Sequence, residues 1–396
     1  MTAKSMLPYV ESTSAIRAMF EEGTRMAKEF GAENVYDLSL GNPSVPAPPQ
    51  VNQAIREVVD EVDPLTLHGY NKSNCGYEDV RADVAEHLNR LHGTSFTSEN
   101  IIMTVGAACG INVAIKTLVD PGEEVLTFAP YFGEYGNYVM NHGAVFKAVP
   151  ANPPSFQPNL EELEKMIGEK TRAIIINSPN NPTGVVYDRQ TLEKLAALLT
   201  RKSEELGHHI FIISDEPYRD LAYDGVDVPW ITGMYPDTIV CYSWSKALSL
   251  PGERIGYMIM PSEIDDFENA MMVATLLIRV LGFVNAPSIM QKAVARCLDC
   301  RTDISIYDKN RKALYEGLTD IGFECAHPDG AFYMFIKSPI DDDVAFCAMA
   351  KKYHILIVPG KSFGCPGYVR MAYCVDYDTI VNSMPHFREL YKEATS

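Results

Sequence analysis

No apolar run in this sequence of 396 residues reaches the ~18 to 20 residues that a bilayer span requires. The longest, residues 270–284, is interrupted by Thr275, Arg279 and Gly282 and is read as a buried or interface helix. Positive charge is also scarce, with 34 Lys and Arg against 52 Asp and Glu and a formal charge of −18. Such a surface keeps a chain soluble and repels nucleic acid and anionic membrane, so neither is an expected partner. Nine cysteines, an odd count, are scattered from Cys75 to Cys374, and the start Met-Thr-Ala-Lys-Ser-Met lacks the apolar stretch of a signal peptide. A cytoplasmic chain with free thiols is the expectation. Cys297-x-x-Cys300 has no second pair and no His at ligand spacing, so no metal site is expected. Gly-x-Gly-x-x-Gly, a Walker loop and His-Glu-x-x-His are all missing, which removes the main support for nicotinamide, nucleotide and zinc-protease readings. There is no internal repeat and no low-complexity tract.

Hydrophobic residues at 46% and charged residues at 22% describe an ordinary soluble chain that can build a substantial core. At ~100 to 200 residues per domain, two domains are expected. Pro43, Pro46, Pro48 and Pro49 force an extended crossing segment near the N-terminus. From about residue 100, short β-branched runs (125–128, 144–149, 173–177, 210–214, 239–242, 255–260) alternate with amphipathic stretches (109–119, 132–141, 160–167, 189–205). Strands separated by helical crossovers predict an α/β domain with a mostly parallel sheet covered by helices on both faces. After about residue 286 the pattern becomes α+β, with helices at 288–298 and 304–318 and strands at 331–336, 355–358 and 368–373. The expected division is a large domain over residues 45–285 and a small one built from residues 1–44 and 286–396.

Ligands of open parallel sheets bind beyond the carboxyl ends of the strands. One predicted strand runs into Asn180-Asn181-Pro182-Thr183-Gly184, the next into Asp215-Glu216-Pro217-Tyr218, the third into Ser243-Trp244-Ser245-Lys246, and Arg254 follows eight residues later. Amide, carboxylate, phenol, hydroxyls, amine and guanidinium are thus offered at one edge. This set suits pyridoxal phosphate. Its aldehyde needs a primary amine to form a Schiff base, which only lysine offers. Its pyridine nitrogen stays protonated only beside a buried carboxylate. Its ionised ring hydroxyl calls for neutral donors such as Tyr218 and Asn181. Its phosphate calls for an Arg fork, hydroxyls and amides at a helix N-terminus, which Gly106-Ala107-Ala108 would supply just before a helix. Taken singly, these residues have plainer readings: Asp215 as a helix N-cap, Arg370 as half of an edge-strand ion pair, Tyr70 as loop packing, Phe132 as core.

With four motifs in order and at similar spacing over almost the whole chain, the sequence resembles a class I aminotransferase of pyridoxal phosphate fold type I, similar to the aspartate aminotransferases. The motifs are Asn-Asn-Pro-Thr-Gly at 180–184, Asp215-Glu216-Pro217-Tyr218, Ser243-x-Ser245-Lys246 and Arg254-Ile255-Gly256. The resemblance implies a seven-stranded sheet, Lys246 as the Schiff-base lysine, Asp215 at the pyridinium, and Tyr218 and Asn181 at the ring oxygen. It implies Ser243, Ser245, Arg254 and the amides of Gly106, Ala107 and Ala108 around the phosphate, and Phe132 stacked on the ring. Arg370 would take the substrate α-carboxylate, and Gly41 would line the substrate side. Tyr70 would reach the phosphate of the neighbouring subunit, so a homodimer with shared sites is implied.

The implied reaction moves an amino group from an L-amino acid to a 2-oxo acid such as 2-oxoglutarate by a ping-pong mechanism, with aspartate the leading donor. One aspartate aminotransferase subgroup reads the distal carboxylate with a lysine where this chain has Ala108, so that determinant is missing. Another uses an arginine from the partner chain, and Arg279, ahead of Asn285-Ala286-Pro287, stands in a similar context with one residue inserted. The plainer reading of Arg279 is a snorkelling residue at the end of an apolar helix. An aminotransferase of alanine or aromatic amino acids, and a β-lyase on the same fold, stay open.

Overall fold

The computed structural model describes residue 4 and residues 14–396, so the rest of the first thirteen residues assigned above to the small domain lie outside the described residues. In chain order its strands are β1 (Tyr36–Asp37), β2 (Ile101–Thr104), β3 (Glu124–Phe128), β4 (Val145–Val149), β5 (Thr171–Asn177) and β6 (Phe211–Asp215). They continue with β7 (Thr238–Ser243), β8 (Gly256–Ile259), β9 (Tyr333–Lys337), β10 (Ile355–Leu356), β11 (Val358–Pro359) and β12 (Tyr368–Ala372). The large sheet has seven strands in the order β2-β8-β7-β6-β5-β3-β4. Five of them, β7 to β4, are mutually parallel, and β8 runs antiparallel to both of its neighbours.

Both faces of this sheet are buried, and the two-residue period of the strand sorts the side chains between them. Ile174 and Ile176 of β5 enter the core that also holds Leu192, Leu195 and Leu199, while Ala173 and Ile175 enter the core on the other side with Ile111 and Ala114. Leu192, Leu195 and Leu199 lie on one face of the helix Arg189–Leu206, which is capped by Asp188, whose side chain accepts from Thr191 N at 2.7 Å. That helix ends at Gly207, whose φ of 72° is the left-handed value that terminates a helix without a Cβ clash. Complete burial of each leucine contributes roughly 2 kcal/mol of transfer free energy.

A second core surrounds the smaller sheet, ordered β11-β12-β9, against the helices Ser305–Ile321 and Tyr377–Thr395. Tyr36, Leu38 and Val45 of the N-terminal segment belong to this core. The strand predicted at 355–358 is in fact two. β10 pairs in parallel with β1, β11 pairs antiparallel with β12, and the chain changes sheets at Ile357. A continuous apolar run satisfies either partner, and the sequence does not show which sheet each half joins. The helix Ser288–Ala295, expected with the small unit, sends Met290, Ala293 and Val294 into the core of the large sheet.

Strand register brings the chemistry together. Asn177 of β5 is paired with Asp215 of β6, and Asp215 with Cys241 of β7, two residues before Ser243. Because β8 runs backwards with Gly256 opposite Ser243, Arg254 returns to the same edge. Thr104 at the end of β2 also lies opposite Gly256, which delivers Gly106 and the N-terminus of the helix Ala107–Leu118 there.

Candidate active site

At this edge lies a cavity of about 310 Å³. Its wall includes Lys246, Asp215, Asn181, Tyr218, Arg254 and Arg370. Lys246 stands on the short helix Trp244–Ala247, and its Nζ donates to Gly41 O at 2.9 Å. Desolvation pulls the pKa of this amine down to about 8. An appreciable fraction is therefore unprotonated near neutral pH, the form that attacks a carbonyl.

Asp215 is 5% exposed, and its Oδ2 accepts from Tyr135 Oη at 2.5 Å. Its Oδ1 is buried with no partner among the described residues. Burial raises the Asp215 pKa to about 7, against the lowering effect of the Tyr135 bond. A buried acceptor without a donor costs roughly 1 to 3 kcal/mol, so this oxygen is suited to a protonated nitrogen brought in by a ligand. Asn177 fixes the neighbouring loop: its Nδ2 donates to Asp215 O at 2.8 Å, and its Oδ1 accepts from Asn181 N at 2.7 Å.

Arg370, on β12, is 2% exposed. It donates to Asn181 Oδ1 at 3.1 Å and Ser39 O at 2.6 Å, while its Nε is buried with no acceptor among the described residues. Its guanidinium lies over the rings of Tyr333 and Phe363 at 4.6 and 4.8 Å. Desolvation lowers its pKa, so an arriving carboxylate meets a cation held in place and short of anionic partners.

Another part of the cavity wall suits an anion. Gly106 precedes the helix Ala107–Leu118 with φ 89°, and a Cβ there would sit 2.9 Å from an Arg254 Nη. Arg254 donates to Pro251 O and Val105 O, and Ser243 Oγ lies 2.6 Å from Ser245 Oγ. The amides of a helix N-terminus, two hydroxyls and a guanidinium are a donor set that suits a phosphate. Donor set and orphaned carboxylate oxygen together fit pyridoxal phosphate at both ends.

Gly41, Ala107, Ala108, Phe132, Asn181, Tyr218, Ser243 and Ser245 also line this cavity, and Gly106 abuts it through Arg254. Tyr70 and Arg279 do not line it. Tyr70 is 92% exposed, in a loop tied by Asn74 to Val284 O and by Asn285 to Ser73 O. Arg279 is exposed at the end of the helix Phe267–Val280, which also exposes Met272, Leu276 and Val280. Sequence reasoning missed Tyr135, Asn177 and Tyr333. Tyr135 lies three residues after Phe132, one helical turn on, which is the only local signal for it.

The chain matches the family model described as aminotransferase class I and II over residues 33–382. It is 48% identical to an amino transferase from Eubacterium rectale of solved structure, with a TM-score of 0.97 and all of both chains covered. It is 30% identical to aromatic-amino-acid aminotransferase 2 of Thermococcus litoralis, over 92% of this chain and 93% of that one. It is 29% identical to the aspartate/prephenate aminotransferase of Thermus thermophilus, over 90% of this chain and 91% of that one. The chain therefore belongs to the class I and II aminotransferases, a pyridoxal phosphate-dependent transaminase of fold type I whose substrates are amino acids and 2-oxo acids.

Proposed function

We propose that the enzyme moves the amino group of a dicarboxylic L-amino acid, aspartate foremost, to 2-oxoglutarate in a ping-pong sequence. The observation that carries this reading is the convergence of Lys246, the orphaned Asp215 oxygen and the buried Arg370 on one cavity. Pyridoxal phosphate, when bound, supplies the sink for the electron pair left on the substrate Cα. Lys246 would hold the cofactor through its aldehyde, and its Nζ would be the base that carries the Cα proton. Asp215 would keep a proton at the ring nitrogen. Tyr218 and Asn181 would donate to the ring oxygen, Phe132 would cover the ring, and Arg370 would orient the α-carboxylate, with Gly41 lining the substrate side. Ser243, Ser245, Arg254 and the amides of Gly106, Ala107 and Ala108 would hold the phosphate.

The homodimer is part of the same proposal. Tyr70 and Arg279 are exposed, as are the apolar Leu65, Met272, Leu276 and Val280, and an obligate partner covering them would bury more than ~2000 Å². There Tyr70 would complete the neighbour's phosphate cradle, and Arg279 would read the distal carboxylate. Lys246→Ala chains mixed with Tyr70→Phe chains are expected to regain part of the activity, because one hybrid site keeps both intact halves. A wild-type monomer fully active at low concentration would refute the shared site.

The test of substrate is a panel of amino acids against 2-oxoglutarate with the 2-oxo acid products identified, and parallel double-reciprocal plots for the ping-pong order. Aspartate and glutamate are expected to exceed alanine and leucine. Arg279→Leu is expected to lower kcat/KM for aspartate while that for an aromatic amino acid holds or rises, a combined change of roughly 2 to 5 kcal/mol. Equal losses would leave Arg279 a structural role only. Ala108 and the apolar Leu40 and Ile111 of the cavity wall favour the second reading, an aminotransferase of alanine or aromatic amino acids. A β-lyase would instead release ammonia from a substrate with a β leaving group and need no 2-oxo acid.

A cytoplasmic location, supported by the odd count of cysteines, belongs to this reading. So does a division into a large and a small domain at residue 45. Because Met290, Ala293, Val294 and Cys297 pack with the large sheet, the return to the small domain is proposed near residue 300 rather than at 286.

A further inference from the structure

Tyr333 touches three elements of the site at once. It is 3% exposed on β9, and its Oη lies 3.0 Å from Tyr218 Oη. The Arg370 guanidinium rests over its ring at 4.6 Å. Its hydroxyl also packs so closely on Gly41 that a Cβ at that position would come within 2.0 Å of it, and Gly41 O is the acceptor of Lys246. Gly41 is therefore a glycine because this hydroxyl occupies the space of a side chain.

We propose that Tyr333 is a positioning residue with two separable effects: its hydroxyl orients the Tyr218 proton toward the cofactor's ring oxygen, and its ring seats Arg370 for the substrate carboxylate. The inference rests on the placement of Tyr218 at the ring oxygen proposed above. The direction of the hydrogen bond follows from chemistry. An ionised ring oxygen only accepts, so Tyr218 spends its single proton there, and the bond between the two phenols must then be donated by Tyr333. A phenol that accepts one hydrogen bond is a better donor of another, so Tyr333 strengthens the Tyr218 bond through a shared chain. The ring acts independently of that proton. A flat aromatic face holds the Arg370 plane while Asn181 Oδ1 and Ser39 O fix its edge.

The test is a spectrophotometric pH titration of the bound cofactor in four holoenzymes: wild type, Tyr218→Phe, Tyr333→Phe and the double variant. Stabilising the ionised ring oxygen favours the form that has lost the imine proton, so losing a donor raises the midpoint of the colour change. Tyr218→Phe is expected to raise it most. Tyr333→Phe is expected to raise it by about 0.5 to 1 unit, and the double variant to match Tyr218→Phe alone. Tyr333→Phe keeps the ring, so KM for the amino acid should stay within about twofold, whereas Tyr333→Leu should raise it roughly tenfold. An unshifted midpoint in Tyr333→Phe, or an added shift in the double variant, overturns the proposal. An unshifted midpoint in Tyr218→Phe overturns instead the placement of Tyr218 on which it rests.

Discussion

Lys246→Ala is expected to reduce transamination by at least about 10⁴-fold in a protein that still folds. General acid–base groups contribute ~10² to 10⁴, and this amine is assigned covalent attachment as well. Among the described residues its hydrogen bond is the one to Gly41 O, and desolvation disfavours its charged form, so truncation removes little that holds the fold together and the fold should survive. Thermal melting close to that of the wild-type apoprotein would verify this. In the wild type, borohydride reduction should fix the cofactor to the peptide that contains Lys246. A small exogenous amine should restore a part of the variant's turnover by carrying the proton in place of Nζ. Labelling of another lysine, or turnover within tenfold of wild type, would remove Lys246 from its assigned role.

Asp215→Ala is expected to slow turnover by at least ~100-fold, equivalent to ~2.7 kcal/mol of barrier, with cofactor attachment retained. Without a carboxylate the ring nitrogen has no reason to keep its proton, and the electron pair from the substrate Cα has a weaker sink. Near-normal turnover would show that another acid faces the ring. The same side chain gives a pH signature in the apoprotein. Asp215 has its folded pKa raised to about 7, above the ordinary carboxylate value of 3.8. Between those pH values the folded chain holds a proton that the unfolded chain has lost, so stability falls as pH rises through this window and stays low above it. Asp215→Asn, neutral throughout, is expected to melt above the wild-type apoprotein at pH 8, with a clearly smaller gap at pH 5. A gap independent of pH would mean that Asp215 is not a buried, titrating acid. Added cofactor should narrow the pH 8 gap by bringing the compensating positive charge.

Local chemistry and periodicity made the large sheet and the cavity end of it legible. Runs such as those at 173–177 and 239–242 are apolar enough to be buried on both faces, and the polar residues that interrupt them at Asn177, Asp215 and Ser243 mark where the strands stop. Lys246, Asp215, Asn181 and Tyr218 were therefore readable as one edge before any coordinates. Tyr135 was not. Its hydroxyl meets Asp215 across 80 positions of sequence, and a tyrosine one turn after Phe132 serves equally well as core. Tyr333 was hidden for the same reason, its partner Tyr218 lying 115 positions away.

The sequence by itself determined the α/β class, the order of the motifs and the chemistry of the cofactor, and it singled out Lys246 and Asp215 as the lysine and carboxylate proposed for it. These depend on residue type and on spacing within a single strand and the turn that follows it. Tertiary structure alone decided that 355–358 divides between two sheets, that the helix Ser288–Ala295 joins the large core, and that Tyr70 and Arg279 are exposed and do not line the cavity. It also decided which acids and cations are perturbed. Burial raises Asp215 and lowers Lys246, and desolvation depends on the atoms packed around a group from distant parts of the chain rather than on its neighbours in sequence.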